Sequence, residues 1–220
     1  MNVLALDAAL GAFSAALAHD ERIVASATEP GAVALERGLS IIATTLSAGG
    51  ISAENVDRIA VGIGPGSFTG MRIAIAYAKS LAAAWERPLV PIDSFDLLEY
   101  PNAFPRTLSV VVGRPGVISA RYRDDGATRR ASGRVGEVLD ELFGAGRGSE
   151  VVVVLGAPKD VLDALAERRI HVHPTDPAVT PAAAAAALAA SSRVPATSVH
   201  EVTADYGELP AAKIPKLGAR

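Results

Sequence analysis

Apolar and polar positions alternate in short runs at the start of the chain. Residues 2–6 (NVLAL) form an apolar run closed by Asp7, and residues 13–18 and 22–28 follow, separated by the turn-like His19-Asp20-Glu21. These predict three strands joined by tight turns. The period then changes. Leu35, Leu39, Ile42 and Leu46 recur at helical spacing, and Gly49-Gly50 stops the run. Residues 56–63 read as a buried strand, 69–85 as a helix ended by Arg87-Pro88, and 89–92 as a further short strand. The order is three strands, helix, strand, helix.

The second half repeats that order. Residues 107–112, 117–123 and 128–132 are candidate strands, 134–143 a helix with Gly144 and Gly146 at its end, and 150–155 (EVVVVL) a strand. A helix over 158–168, a short strand over 170–173 and a last helix over 181–191 complete it. Pro158 and Pro181 suit a first helical turn, and Thr180 suits a cap. Periodicity breaks between residues 93 and 106, where YPNAFP stands. The expected division is therefore a lobe over 1–95 and a second over 96–220, with the last helix in the second. Three strands followed by alternating helix and strand suggest a mixed sheet with helices against it. Two such βββαβα units in tandem are the α/β plan of actin, the sugar kinases and the Hsp70 ATPase (the ASKHA fold). A fold alone does not give a function.

The stretch GIGPGSFTGMRIAIAYAKSLAAAW, from Gly62 to Trp85, carries the candidate chemistry. Pro65 fixes its own φ, and Gly64 and Gly66 tolerate the dihedrals of a sharp turn. Ser67 or Thr69 can cap the helix that follows. The bland reading is a strand-to-helix turn that needs its glycines for shape. The sharper one is an anion site, because helix N-termini after glycine-rich loops attract phosphate or carboxylate. Neither a Walker loop nor GxGxxG matches. Arg72 in the first turn opposes the helix dipole by about 0.3–1 kcal/mol. It serves either an external anion or solvent. From Gly70 to Trp85 the strongly polar side chains are Arg72, Lys79 and Ser80. A helix this apolar is either wholly internal or joins the 35–46 helix in an apolar patch that a partner buries.

Half of the residues are apolar and the formal net charge is −3, so electrostatics make no case for gripping a polynucleotide directly. The chain has no cysteine, which excludes disulfides and thiolate chemistry. Its first residues carry no basic, signal-like region, and the alanine-rich run at 181–190 is too short to span a bilayer. The expectation is a cytoplasmic protein without a membrane. His19, His171, His173 and His200 make no HExxH or His-x-x-x-His pattern, so no metal site is expected. Asp124-Asp125-Gly126 reads as a turn. Ser67 has no visible base.

The run Ile63-Gly64-Pro65-Gly66-Ser67-Phe68-Thr69-Gly70-Met71-Arg72-Ile73, after Val3-Leu4-Ala5-Leu6-Asp7, resembles the TsaB (YeaZ) family of tRNA threonylcarbamoyladenosine biosynthesis proteins. The resemblance is strong over about the first 95 residues. It implies an actin-like fold and a chain that is not itself the catalyst. The family binds its paralogue TsaD, which carries the metal and transfers threonylcarbamoyl to adenosine of tRNA. A TsaE-type ATPase joins the complex, and tRNA is met indirectly. Pairing uses the two helices of the first half, in the heterodimer and in homodimers. This places the partner surface on Leu35, Leu39, Ile42, Leu46, Met71, Ile75 and Ala78, and leaves Asp7, Gly64, Pro65, Gly66, Ser67, Phe68, Thr69, Gly70 and Arg72 as the loop set that could hold an anion. It implies no cofactor held by this chain alone; ATP and Mg²⁺ belong to the complex.

The chain departs from the family at four places. Asp7 is followed by Ala8-Ala9 where Asp-Thr-Ser is usual, which removes hydroxyls that could have held phosphate. Glu36-Arg37-Gly38-Leu39-Ser40 replaces a His-Ser start, Gly113-Arg114-Pro115 replaces an Asp-Ala-Arg type strand end, and Tyr206-Gly207-Glu208 replaces Tyr-Leu-Arg. The competing readings are a stand-alone actin-like ATPase or small-molecule kinase, which requires ATP–Mg²⁺ binding by the isolated chain, and a peptidase, which requires Ser67-dependent cleavage.

Overall fold

The computed structural model describes residues 1–29, 37–101, 104–144, 151–191 and 195–207. Strands β1 (Asn2–Asp7), β2 (Phe13–His19) and β3 (Arg22–Glu29) form antiparallel hairpins. Helix α1 (Gly38–Ala48) and a 3₁₀ turn (Ala53–Asn55) lead to β4 (Arg58–Gly64); α2 (Phe68–Ala84) then leads to β5 (Leu89–Asp93). β4 runs parallel to β1 and β5 parallel to β4, in the order β3-β2-β1-β4-β5. After a short helix α3 (Ser94–Glu99) the plan repeats as β6 (Arg106–Arg114), β7 (Val117–Asp124), β8 (Ala127–Arg134), α4 (Val135–Phe143), β9 (Val151–Leu155), α5 (Lys159–Glu167), β10 (His171–Thr175) and α6 (Pro181–Ala190). The second sheet has the order β10-β9-β6-β7-β8. Read from the other edge, that is the order of the first. This duplicated α/β topology is the actin-like (ASKHA) fold expected from the element order.

The two-residue period of a strand sorts the first sheet into two unlike faces. Leu4, Leu6, Leu17 and Ile59 meet α1 and α2 through Ile41, Ile42, Met71 and Ala74. Ala5, Ala16, Ala18 and Ala60, with Val3, face a helix made almost wholly of alanine, and that helix is α6. The last helix therefore does not stay with the second lobe, as the division at residue 95 had it, but returns to cover the first sheet. Small residues on both sides let its backbone lie close to the strands, so alanine suffices to fill the layer. The Thr180 hydroxyl accepts from the Ala183 N–H at 3.3 Å and stands 3.2 Å from Ser26 Oγ on β3. At the other end Arg58 donates to the Ala189 carbonyl at 3.2 Å, where a cation complements the helix dipole.

Helix α3 is a second departure, since this stretch reads as a break in periodicity. Asp93 caps it, accepting from the Phe95 N–H at 2.7 Å. Phe95 and Leu98 pack on Val111 and Leu155 of the second sheet. Each lobe thus lends a helix to the other. The remaining face of the second sheet is covered by α4 and α5 through Val138, Leu139, Leu142, Val161 and Leu165.

Four residues expected at a partner surface lie in the first lobe's own core. Ile42, Met71, Ile75 and Ala78 are buried, because the apolar stripes of α1 and α2 face their own sheet. Leu46 is half-buried and Leu39 exposed, while Leu35 lies outside the described residues.

Candidate functional site

The Gly-Pro-Gly turn is wedged between two backbone segments, which accounts for its glycines. A Cβ on Gly66 would strike the carbonyl oxygen of Ala9, and one on Gly70 that of Ala8. Gly64, at φ +105°, has the Asp205 carbonyl and the Met71 sulfur in the place a side chain would take. The Ser67 N–H donates to the Ala9 carbonyl at 2.8 Å, and the Asp205 N–H to the Ile63 carbonyl at 2.7 Å. The turn is thus held by the exit of β1 on one side and by the terminal segment, residues 195–207, on the other. Ser67 caps α2: its Oγ accepts from the Gly70 N–H at 3.2 Å.

The loop set divides by exposure. Asp7, Gly64, Pro65, Gly66 and Gly70 are buried, Ser67 is half-buried, and Phe68, Thr69 and Arg72 are exposed. Asp7 is wholly buried. One carboxylate oxygen accepts from the Leu10 N–H at 3.2 Å; the other, Oδ2, has no hydrogen-bond partner and lies where a Gly62 side chain would be. Burial pushes this carboxyl up to about 6, against the Leu10 and Ala9 N–H groups, which favour the charged form. Arg72 stands apart from it at the surface, its guanidinium 5.1 Å from the Phe68 ring centroid. The geometry does not join Asp7 and Arg72 in one anion or metal site.

Between the lobes lies a cleft of about 790 Å³, the place to test for ATP and Mg²⁺. Its lining includes Leu10, Leu97, Leu98, Val110, Val112 and Val179, with Ser67 and Thr180 supplying hydroxyls. Among the described residues neither a carboxylate nor a cationic side chain lines it. Mg²⁺ is held through carboxylates, so these side chains offer the metal no ligand. Among the described residues no three histidines or carboxylates are placed to hold a metal ion. His171 and His173 are exposed on β10, and His19 bonds Asn2 at 2.7 Å on the surface.

The outward face of the two helices is a different surface from the one expected. On α2 it runs through Thr69, Arg72, Ile73, Ala76 and Ser80, which with Phe68 and Tyr77 line a groove of about 470 Å³. On α1, Leu39 is 58% exposed. Gly38 brings the helices together, since a side chain there would strike the Tyr77 ring.

A charged cluster between the lobes escapes sequence reasoning. Asp93, Asp96 and Glu99 of α3 and its cap meet Arg121, Arg123 and Arg130 of the second sheet. Arg121, 2% exposed, pairs with Asp96 at 2.7 Å and Glu99 at 2.8 Å; Arg123 pairs with Glu99 at 2.7 Å and Arg130 with Asp93 at 2.9 Å. Burial opposes the charge on Arg121, but Glu99 and Asp96 outweigh it and raise its pKa. Burial also raises Asp93, against the Phe95 N–H, Arg130 and Arg121. The signal available was the spacing of acids at 93, 96 and 99, which puts them along one side of a helix.

Over residues 34–151 the chain matches the family model described as TsaD: tRNA N6-adenosine threonylcarbamoyltransferase. It is 32% identical over 130 residues to the tRNA threonylcarbamoyladenosine biosynthesis protein TsaB of Escherichia coli, covering 57% of this chain and 56% of that protein. It is 30% identical over 148 residues to the tRNA N6-adenosine threonylcarbamoyltransferase of Gemmatimonas aurantiaca, covering 60% of this chain and 39% of that one. The matches thus span about half, or less, of these relatives' length. In fold it is similar to YeaZ from Pseudomonas aeruginosa, with a TM-score of 0.68 at 24% identity over 93% of this chain and 99% of that one. With more than half of its length inside the matched model, and the fold of YeaZ over 93% of its length, the chain belongs to the TsaD-type family of tRNA threonylcarbamoyladenosine proteins.

Proposed function

We propose that this chain acts in tRNA threonylcarbamoyladenosine biosynthesis as a non-catalytic partner of a TsaD-type enzyme, docking it through the outward faces of α1 and α2. The observation that carries this is the apolar groove along α2. A helix face with Phe68 and Ala76 exposed and Ile73 half-buried leaves apolar area in water that a partner would bury, and its small residues permit close helix approach. Among the described residues the interlobe cleft offers no carboxylate for Mg²⁺, which favours a partner role over a kinase or ATPase acting alone. Ser67 serves as a helix cap, which gives a peptidase reading no support. In this account a TsaE-type ATPase joins the complex, tRNA is held mainly by the partners, ATP and Mg²⁺ enter with them, and the free chain pairs with itself through the same face. The work is done in the cytoplasm; among the described residues no helix is long and apolar enough to cross a membrane.

The test is co-purification of the chain with the TsaD-type protein of its own organism, comparing wild type with Ala76→Asp and Leu39→Asp. Both substitutions are at exposed positions. Wild type is expected to form a stable complex and the variants to stay folded but lose it. Undiminished binding by both variants would overturn the assigned surface.

A further inference from the structure

The groove on α2 ends in an aromatic and cationic corner. The Arg72 guanidinium lies over the Phe68 ring, and that ring lies 5.2 Å from the Tyr206 ring at an interplanar angle of 30°. Phe68 is 56% exposed and Tyr206 44%. Tyr206 comes from the terminal segment, so the corner joins two distant parts of the chain. Among the described residues Arg72 has the Phe68 ring as its partner and no carboxylate. The cation also stands in the first turn of α2, where the helix dipole disfavours it. A planar guanidinium laid on an aromatic ring keeps its fork of N–H donors directed and ready for a carboxylate.

We infer that this corner takes an aspartate or glutamate side chain from the protein seated in the α2 groove, the carboxylate pairing with Arg72 beside Phe68 and Tyr206 while apolar side chains fill the groove along Ile73 and Ala76. The inference rests on the partner reading above and adds the chemistry by which the partner is chosen. Charge complementarity separates the occupants. Among the described residues Arg72 is the one charged residue lining the groove, and a nucleic acid would ask for several cations along its phosphates. A second copy of this chain, which the partner reading seats on the same face, offers no acidic residue among the described lining residues to answer Arg72, so self-pairing leaves this corner unfilled. A different protein with an acidic residue at the edge of an apolar helix answers both demands. The position of Tyr206 makes the terminal segment part of the docking surface.

The test is titration calorimetry of the full chain with the TsaD-type protein of its own organism, at low and at high NaCl. Arg72→Ala is expected to weaken binding about thirtyfold at low salt and to remove most of the salt dependence. Arg72→Lys keeps the charge and is expected to keep the salt dependence, and Tyr206→Ala is expected to weaken binding less than Arg72→Ala. Lys159→Glu, an exposed position on α5, is the control for net charge and leaves affinity unchanged. Wild-type affinity and salt dependence in Arg72→Ala would overturn the inference while leaving the partner reading intact. No binding by wild type would overturn the partner reading and the inference with it. Arg72-dependent binding of tRNA by the isolated chain, or Arg72-dependent self-association, would reassign the corner and overturn the inference.

Discussion

Arg121 holds Glu99 with two nitrogens: Nε donates to Oε1 at 2.9 Å and Nη2 stands 2.8 Å from Oε2. Glu99 belongs to the helix that follows the first sheet, and Arg121 to the middle of the second. The Ser109 hydroxyl also donates to Glu99, at 2.7 Å. Removing the carboxylate leaves a buried guanidinium with Asp96 at 2.7 Å and the more distant Asp93 at 3.8 Å. Glu99→Ala is expected to destabilise the chain by about 3–5 kcal/mol. Asp96→Ala, at a position 42% exposed, should cost clearly less. Urea denaturation monitored by circular dichroism measures both, and equal costs would contradict the central place given to Glu99.

The contact of Gly70 with Ala8 makes a separate prediction. A methyl group at residue 70 meets a backbone oxygen, which cannot swing aside. Gly70→Ala should cost about 1–3 kcal/mol, although alanine ordinarily favours a helix over glycine. A gain in thermal stability would show that the turn is looser than described.

Most strands and helices were legible because each carries a complete local signal. The 2–6 and 13–18 runs alternate, Gly49-Gly50 ends α1, and Thr180-Pro181 opens α6. What was not legible depends on contacts distant in sequence. Nothing in an alanine run tells which sheet it will cover; only the small residues Ala5, Ala16, Ala18 and Ala60 hint that a close-lying helix belongs on the first. The six residues of α3 are too few to show a helical period, and their acids gain meaning only opposite Arg121 and Arg123. The residues expected at a partner face fall in the core for a physical reason. Periodicity marks the stripe that a helix buries against its own sheet, so Ile42, Met71, Ile75 and Ala78 are core residues. The outward face is made of small and mixed residues, Thr69, Ala76 and Ser80, which carry no strong pattern.

That distinction yields a paired prediction. Ala78→Asp and Met71→Asp place a charge in the first lobe's core and should unfold it or cost several kcal/mol. Ala76→Asp, two residues away but exposed, should change thermal stability by less than about 0.5 kcal/mol. Equal melting temperatures for Ala76→Asp and Ala78→Asp would contradict the orientation assigned to α2.

Asp7 gives a pH dependence with a defined sign. Its ordinary value is 3.8 and its folded value about 6. Between those values the folded state holds the proton more tightly, so this group's contribution to stability falls as pH rises, reaching a penalty of about 3 kcal/mol above the folded value. Asp7→Asn removes the titration. Its stability relative to wild type should therefore rise across about pH 4 to 6 and level off above, whatever constant offset the amide brings. A pH-independent difference between the two proteins would show that Asp7 is ordinarily solvated.

The central claim is that this chain serves a TsaD-type enzyme by docking and does no chemistry itself. The most direct measurement is threonylcarbamoylation of tRNA by the other purified components of its own organism, with wild type, Ala76→Asp or none of this chain added. Modification that requires wild type, fails with Ala76→Asp, and survives Ser67→Ala is the predicted result. Modification that proceeds equally without the chain, or that Ser67→Ala abolishes while the complex still forms, would contradict the account.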